Sequence, residues 1–330
     1  MEVDFVLLWV DGNDPEWQKE FNKWSKKEEG DKSVKRYRDW NNLKYLFRAF
    51  EFFTPWVRKI HFVTWGHLPK WLNINHPKIN IVNHQDILDK SKLPVFSSHP
   101  LEINLHKIKN LSERFVYFND DTFILKPLSK ERFFRKGLPC DMLVFNTIFL
   151  DSISHIRLNN IEIISKYFNK KRILKKLFFK IFNLKYSYHQ IRSLLLLPWP
   201  QFTGFYDPHQ PQPFLKQTFL EVWEKEEEYL NKVSSHKFRT KDDVNQYLFR
   251  YWQMLKGNFY PISFSDTYTI PVKSKADVDK AVQIIIKQKF NMLCINDEID
   301  DIDSNTFNSF TTEINNAFEK ILPKKSGFEI

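Results

Sequence analysis

RFVYFNDDTFIL, residues 114–125, is the stretch from which the fold can be read. Phe115 to Phe118 are aromatic or β-branched, as a buried strand requires. Asn119-Asp120-Asp121 then interrupts the run, and apolar character returns at Phe123. Carboxylates do not stay charged inside a core without a partner. Asp120 and Asp121 are therefore expected where a strand leaves its sheet, facing a cleft. Two readings stand: a turn, which Asn and Asp favour, or a divalent-cation site, since hard cations take carboxylate oxygens.

Outward from this stretch the same grammar repeats. VDFVLLWV (3–10) reads as a buried strand ending at Asp11-Gly12. Residues 42–53 read as a helix with Leu43, Leu46, Phe47 and Phe50 on one stripe, and Pro55 stops it. Strands are expected at 59–65, 78–83, 114–118 and 141–145, a helical turn at 68–72, and helices at 100–110, 213–231 and 241–256. Strands alternating with helices imply βαβ units and a mostly parallel α/β sheet. Ligands of such sheets bind beyond the carboxyl ends of the strands. Asp11, His84 and Asp120-Asp121 all fall there.

The chain has 330 residues, 42% of them hydrophobic, with a net charge of +10. That charge points to an anionic partner: nucleic acid, a phosphorylated substrate or an acidic membrane surface. Seven glycines, with no GxGxxG or GxxxxGK[ST], exclude a glycine-rich phosphate loop. Cys140 and Cys294 give neither a disulfide framework nor zinc spacing. The amino terminus carries acids where a signal peptide has a basic region, and no apolar run reaches transmembrane length. A cytoplasmic protein is expected, able to lie on a membrane.

Character changes near residue 152. KKRILKKLFFKIFNLKYSY (170–188) mixes cations with Ile, Leu and Phe at helical spacing. It reads equally as a helix packed on the core or as a basic helix lying on an anionic membrane. The tail from Pro323 is expected to fray.

Several polar clusters could carry chemistry. Arg36, Arg38, Lys44 and Arg48 offer phosphate ligands, although single arginines usually decorate surfaces. His99, Glu102 and His106 share one face of the expected 100–110 helix: a solvated stripe, a zinc site without HExxH, or a polar pocket. His209 stands among Pro208, Pro211 and Pro213, as a fixed general base or an exposed loop histidine. MLCINDEID (292–300) repeats the opening pattern with Asn296-Asp297-Glu298.

In their order, WVDGNDPEW, RYRDWNNLKYLFRAF, LPVFSSHPLEINLHKIKNLSERFVYFNDDTF, HQPQPF with HKFR, and CINDE make the chain resemble the Stealth family. These are the capsular polysaccharide phosphotransferases, to which the lysosomal-enzyme N-acetylglucosamine-1-phosphotransferase is related. The resemblance implies a glycosyltransferase-A-like (Rossmann-like) fold that transfers a sugar 1-phosphate from a UDP-sugar to a glycan hydroxyl, with Mg2+ or Mn2+. Asp11 would hold the donor nucleotide, and Arg38 and Arg48 its phosphates. Ser98, Glu102 and His106 would line the donor pocket, with Asn296 from the last block. Asp120, Asp121 and Asp297 would hold the metal. His209 would be the base, with Asp121 and Arg239 beside it in catalysis. His99 and Glu298 depart from the family pattern.

One catalytic domain is then expected: a nucleotide-sugar half (1–151), a basic helical insertion (152–200), a part completing the site (201–322) and a tail (323–330). The acceptor is expected to be a glycan on a lipid carrier, and nucleic acid is not an expected partner. The rival within the same fold is a glycosyltransferase releasing UDP. A nucleic-acid-binding protein is the rival from another class, opposed by scattered charge and carboxylates at strand ends.

Overall fold

The structure is a computed structural model and describes residues 1–330 except for the side chain of Val34. The chain runs β1 (Asp4–Leu8), α1 (Pro15–Ser25), α2 (Leu43–Phe53), β2 (Ile60–Thr64), β3 (Ile79–Asn83), α3 (Ser98–Glu102) and β4 (Arg114–Phe118). β5 (Thr122–Ile124), β6 (Phe134–Arg135) and β7 (Leu138–Asp141) follow. Three helices come next: α4 (Ser154–Tyr167), α5 (Lys170–Ile181) and α6 (His189–Leu195). The last third holds β8 (Gln212–Leu215), α7 (Lys216–Val233), α8 (Gln246–Lys256), β9 (Tyr260–Pro261), β10 (Thr267–Val272), α9 (Lys275–Ile286), β11 (Met292–Asp297) and α10 (Ser304–Ile321).

The main sheet has the order β3-β2-β1-β4-β8, its first four strands parallel and β8 antiparallel to β4. The 3-2-1-4 order is Rossmann-like. Strand periodicity divides the apolar residues between two cores, one on each face. Phe5, Leu7, Ile60, Phe62, Val116 and Phe118 enter the core covered by α2, α9 and α10. Val6, Leu8, Val63, Phe115 and Tyr117 enter the core built with α7 and α8. The α/β expectation, a mostly parallel sheet flanked by helices, is met.

The opening stretch lies at a junction. The Asn119 carbonyl accepts from the Thr122 amide at 3.2 Å and its hydroxyl at 2.7 Å, closing a turn around Asp120-Asp121. After the turn the chain leaves the main sheet. β5 joins a second sheet, ordered β10-β11-β5, antiparallel to β11. The Ile295 amide donates to the Asp121 carbonyl at 2.9 Å. The two acids therefore sit where the chain crosses between sheets, at the carboxyl ends of β1 and β4.

Several local expectations are corrected. The helix expected at 100–110 is α3 followed by a single 3-10 turn, Leu105–Lys107. The Asn104 amide donates to the Pro100 carbonyl and to Ser234 Oγ, so its side chain competes with the helix backbone. Pro213 belongs to β8, and the helix starts at Lys216. Residues 68–72 form no helix; Leu72 instead bridges to Glu329. The strand expected at 141–145 ends at Asp141, which turns inward to the Arg250 guanidinium. The tail is packed, not frayed, with Phe328 in the core beneath α2.

Candidate active site

A cleft of about 900 Å³ opens at the carboxyl ends of β1, β4 and β11. Its walls come from residues 37–43, 97–102 and 151–157, with His209, Arg239 and 245–247 closing the far side. Gly12 lets the 37–42 segment approach, because a Cβ there would fall 2.1 Å from the Tyr37 carbonyl oxygen. That approach places Arg38 and Asp39 in the cleft.

Asp121 is the centre of the polar arrangement. Its Oδ2 meets His209 Nε2 at 3.2 Å and accepts from Cys294 Sγ at 3.3 Å. Burial, and then Asp121 itself, push the Cys294 thiol well above its ordinary range, so the sulfur stays protonated and donates. Asp121 Oδ1 is buried and has no hydrogen-bond partner among the described residues. Burial, then the charges of Asp121 and Asp39, push the Asp120 carboxyl up to about 7. Burial likewise raises Asp39, with Asp11 adding repulsion. A carboxylate cluster with an orphaned, buried oxygen lacks positive charge, and a hard divalent cation fits that deficit. Asp121, His209 and Cys294 each bring one candidate ligand atom within 4.8 Å of the others, but a neutral thiol is a poor ligand for a hard cation. Cys294 and His209 are better read as groups that orient the carboxylate.

The His209 loop is held from two directions. Thr269 Oγ1 on β10 donates to the Pro208 carbonyl at 3.0 Å. From inside, Arg250 Nη1 donates to the Tyr206 carbonyl and to Asp207 Oδ1, and the Tyr251 hydroxyl donates to Asp207 Oδ2. His209 itself has φ of 46°, in the left-handed region, so the loop is fixed in an uncommon conformation. Its place in the cleft opposes charging, but the Asp121 charge and hydrogen bond outweigh this and raise its pKa above the ordinary value.

Arg239 supplies the opposite sign. It lines the cleft, and among the described residues its guanidinium has neither a salt bridge nor a side-chain hydrogen bond. Burial, and then Arg36, lower its pKa. An unpaired cation in a desolvated wall is a ready anion ligand. Arg38 Nε lies 3.2 Å from Asp297 Oδ2, while its Nη2 donates to the Ile299 carbonyl at 2.8 Å.

Of the site residues that the resemblance implies, Arg38, Ser98, Glu102, Asp120, Asp121, His209, Arg239, Asn296 and Asp297 all line this cleft. Three do not. Asp11 sits at the rim, where its amide donates to His67 Nε2 and its carboxylate caps the Asn13 amide, so it serves the turn. His106 is buried against Phe219 and Trp223. Arg48 is turned away, its guanidinium held by Glu329, Glu319 and the Leu322 carbonyl. The role expected for Arg48 on donor phosphates is corrected accordingly: its donors are taken by the packed tail. Asp39 was missed, although it stands between Arg38 and Trp40 in a segment read for its cations. The Asp243 carboxylate was missed too; it accepts from His99 Nδ1 at 2.7 Å and His236 Nδ1 at 2.6 Å, fixing the His99 wall. No local signal marks such a pair, separated by 144 residues.

The sequence profile for Stealth protein CR1, conserved region 1, matches residues 1–29, and that for Stealth protein CR2, conserved region 2, matches residues 36–140. The chain is 43% identical to a capsular polysaccharide phosphotransferase WcwK of Streptococcus pneumoniae, over 99% of this chain and 98% of that one. The chain belongs to the Stealth family. Other relatives are the receptor polysaccharide phosphotransferase WefC of Streptococcus oralis, 38% identical over 100% of this chain and 99% of its own, and the exopolysaccharide phosphotransferase cps2G of Lactiplantibacillus plantarum, 36% identical over 99% and 96%. The second Stealth match carries the chain from Arg36 to β7 and so spans Arg38, Asp39, α3 and the Asp120-Asp121 turn. A solved apo structure of the WbbM bifunctional glycosyltransferase aligns with 98% of this chain and 52% of its own at 10% identity, with a TM-score of 0.38, too low to bear on the fold.

Proposed function

We propose that this Stealth protein transfers a sugar 1-phosphate from a UDP-sugar to a hydroxyl of a glycan acceptor, releasing UMP and forming a phosphodiester in capsule or cell-surface polysaccharide. The observation that carries this reading is one cleft holding an unpaired arginine, Arg239, together with a carboxylate cluster and a carboxylate-bound histidine. Relatives of nearly equal length are named polysaccharide phosphotransferases, which supports phosphorus as the reacting centre.

In this mechanism the acceptor hydroxyl loses its proton to His209 and its oxygen attacks the phosphorus that carries the donor sugar. The bond from that phosphorus to the oxygen of UMP breaks. The sugar's own anomeric bond to oxygen is kept. Asp121 makes His209 more basic and fixes its ring, as a carboxylate does in other histidine-dependent transfers. Arg239 and Arg38 line the cleft; in this reading they stabilise the charge that grows on the phosphoryl oxygens, and such fixed donors favour a transition state over a ground state. Asp120 and Asp121, with Asp297, would hold Mg2+ or Mn2+, which supplies charge neutralisation for a diphosphate. The acceptor glycan is carried on a lipid, and the protein works at the inner membrane face; among the described residues no helix is long and apolar enough to cross a membrane.

The test is incubation of the purified protein with UDP-sugars, Mg2+ and glycan acceptors. UMP with a phosphodiester product is expected. Release of UDP with a glycosidic product would overturn the reading in favour of a glycosyltransferase.

A further inference from the structure

Against the expectation of scattered charge, most of the protein's net charge lies in one segment. Residues 152–200 contain ten Lys and Arg against one acid, Glu162, in a chain whose net charge is +10. The segment also breaks the usual partition of apolar side chains. Of nineteen exposed large hydrophobic side chains among the described residues, thirteen lie between Phe149 and Trp199. Leu150 is 94% exposed, Leu184 91% and Phe179 83%. Exposed apolar surface on this scale marks a contact with a partner or a membrane.

Burial shows which face is free. Lys170, Ile173, Leu177 and Ile181 form the inward stripe of α5. Lys171, Arg172, Lys175, Lys176, Phe178 and Phe179 are exposed. Not every cation is available. The Lys170 ammonium donates to the Leu196 and Trp199 carbonyls, tying α5 to the end of α6. Lys180 donates to the Gly257 and Phe259 carbonyls, tying α5 to the chain beyond α8. Lys171, Arg172 and Lys175 have no acidic partner among the described residues.

We propose that α5, the turn at 184–188 and α6 form a docking surface for an anionic lipid bilayer, with Phe179, Leu184 and Leu195 entering the headgroup region and Lys171, Arg172 and Lys175 at the lipid phosphates. Charge complementarity selects this occupant. A second copy of the chain would set one strongly cationic segment against another, whereas lipid phosphates neutralise it and the acyl boundary takes the aromatic and leucine side chains. The surface continues toward the cleft. Phe149 and Leu150 directly precede Asp151, Ser152 and Ile153 of the cleft wall, and Arg157 of that wall lies over the Phe149 ring at 5.1 Å. A bilayer seated there lies beside the cleft mouth. The purpose of the surface, delivery of a lipid-borne acceptor, rests on the proposed function; the binding itself does not.

The experiment is vesicle flotation of the full chain, with phosphatidylcholine vesicles containing or lacking phosphatidylglycerol. Binding is expected only with phosphatidylglycerol, and high salt should release it. Replacing Lys171, Arg172 and Lys175 by Gln should weaken binding roughly fivefold for each cation, on the order of a hundredfold together. Phe179→Ser with Leu184→Ser should also weaken it, by a route that leaves charge unchanged. All five side chains are exposed, so the thermal midpoint should hold, and UMP release with a water-soluble acceptor should stay at the wild-type level. Equal flotation of wild type and both variants would overturn the docking surface. So would a dimer that Phe179→Ser and Leu184→Ser dissolve while vesicles are ignored, since the patch would then be a subunit contact. A wild type that floats but releases no UMP would overturn the proposed function and leave the surface standing.

Discussion

Asp121 and His209 meet at 3.2 Å, Oδ2 to Nε2, across 88 residues of sequence. The first ends the turn after β4, and the second sits in a loop pinned by β10 and Arg250. Their contact splits the carboxylate into two unequal oxygens. One is engaged by His209 and Cys294; the other is buried with no hydrogen-bond partner among the described residues. Asp121→Asn keeps the shape and removes the charge. Turnover should fall by orders of magnitude, and the rise in thermal midpoint expected of the wild type on adding Mg2+ should be absent from the variant. Full wild-type turnover in excess chelator would rule out the cation.

His209→Ala should abolish transfer while leaving UDP-sugar affinity close to wild type, since the base meets the acceptor. The pH profile carries a second check. A base works when unprotonated, so the rate should rise with pH through the His209 pKa, which Asp121 lifts above the ordinary histidine value. A donor Kd that weakens sharply, with transfer retained, would assign His209 to donor binding instead.

Arg239→Ala removes an unpaired cation. A fall of about 10²–10³ in kcat is expected, the usual cost of losing one fixed donor at a developing charge. The same change should leave stability unaltered or raise it slightly, because a half-buried charge with no acidic partner among the described residues is gone. A stability loss without a kinetic effect would make Arg239 structural.

Arg48 should behave in the opposite way. Its partner Glu329 has a side chain only 4% exposed. Arg48→Ala strands that carboxylate and should cost roughly 3–5 kcal/mol of stability, freeing the tail from α2. Donor KM should not change. A KM rise at unchanged stability would restore the phosphate role.

The contrast between Arg239 and Arg48 also shows what was legible in the sequence. Strand ends followed by acids put Asp120 and Asp121 at the mouth of the sheet, because period-two burial is written locally; Asp297 was added by the family resemblance, and all three line the cleft. The partner of a side chain is not. Whether an arginine faces a cleft or a glutamate 281 residues away depends on how the chain end folds back, and the polar tail PKKSGFEI carries one phenylalanine as its only packing signal. The pairing of His99 with Asp243 was hidden for the same reason. β8 was hidden by Pro213, a residue tolerated because it lies on an edge strand. The basic segment left two readings open, and the structure uses its cations both ways: Lys170 and Lys180 inward, Lys171 and Lys175 outward.

His106 gives a test that separates packing from catalysis. It is buried between Phe219 and Trp223, and burial, then Lys107, pushes its pKa down to about 3. His84 is pushed down to about 3 as well, by burial and then His67. The sign follows from linkage. Above pH 6.5 both histidines are neutral in the folded and unfolded chain, and neither contributes a pH dependence. As pH falls below 6.5 the unfolded chain gains protons that the folded chain does not take up until about pH 3. Stability therefore drops through that window, by up to about 1.4 kcal/mol per pH unit for each histidine. His106→Met keeps a flexible apolar filler in the site and removes one titrating group. Urea midpoints between pH 6 and 4 should fall less steeply in the variant, by about one proton's worth of slope, while donor KM at neutral pH stays unchanged. A slope identical to wild type would mean that His106 titrates normally in the folded chain, and a raised donor KM would return it to the donor pocket.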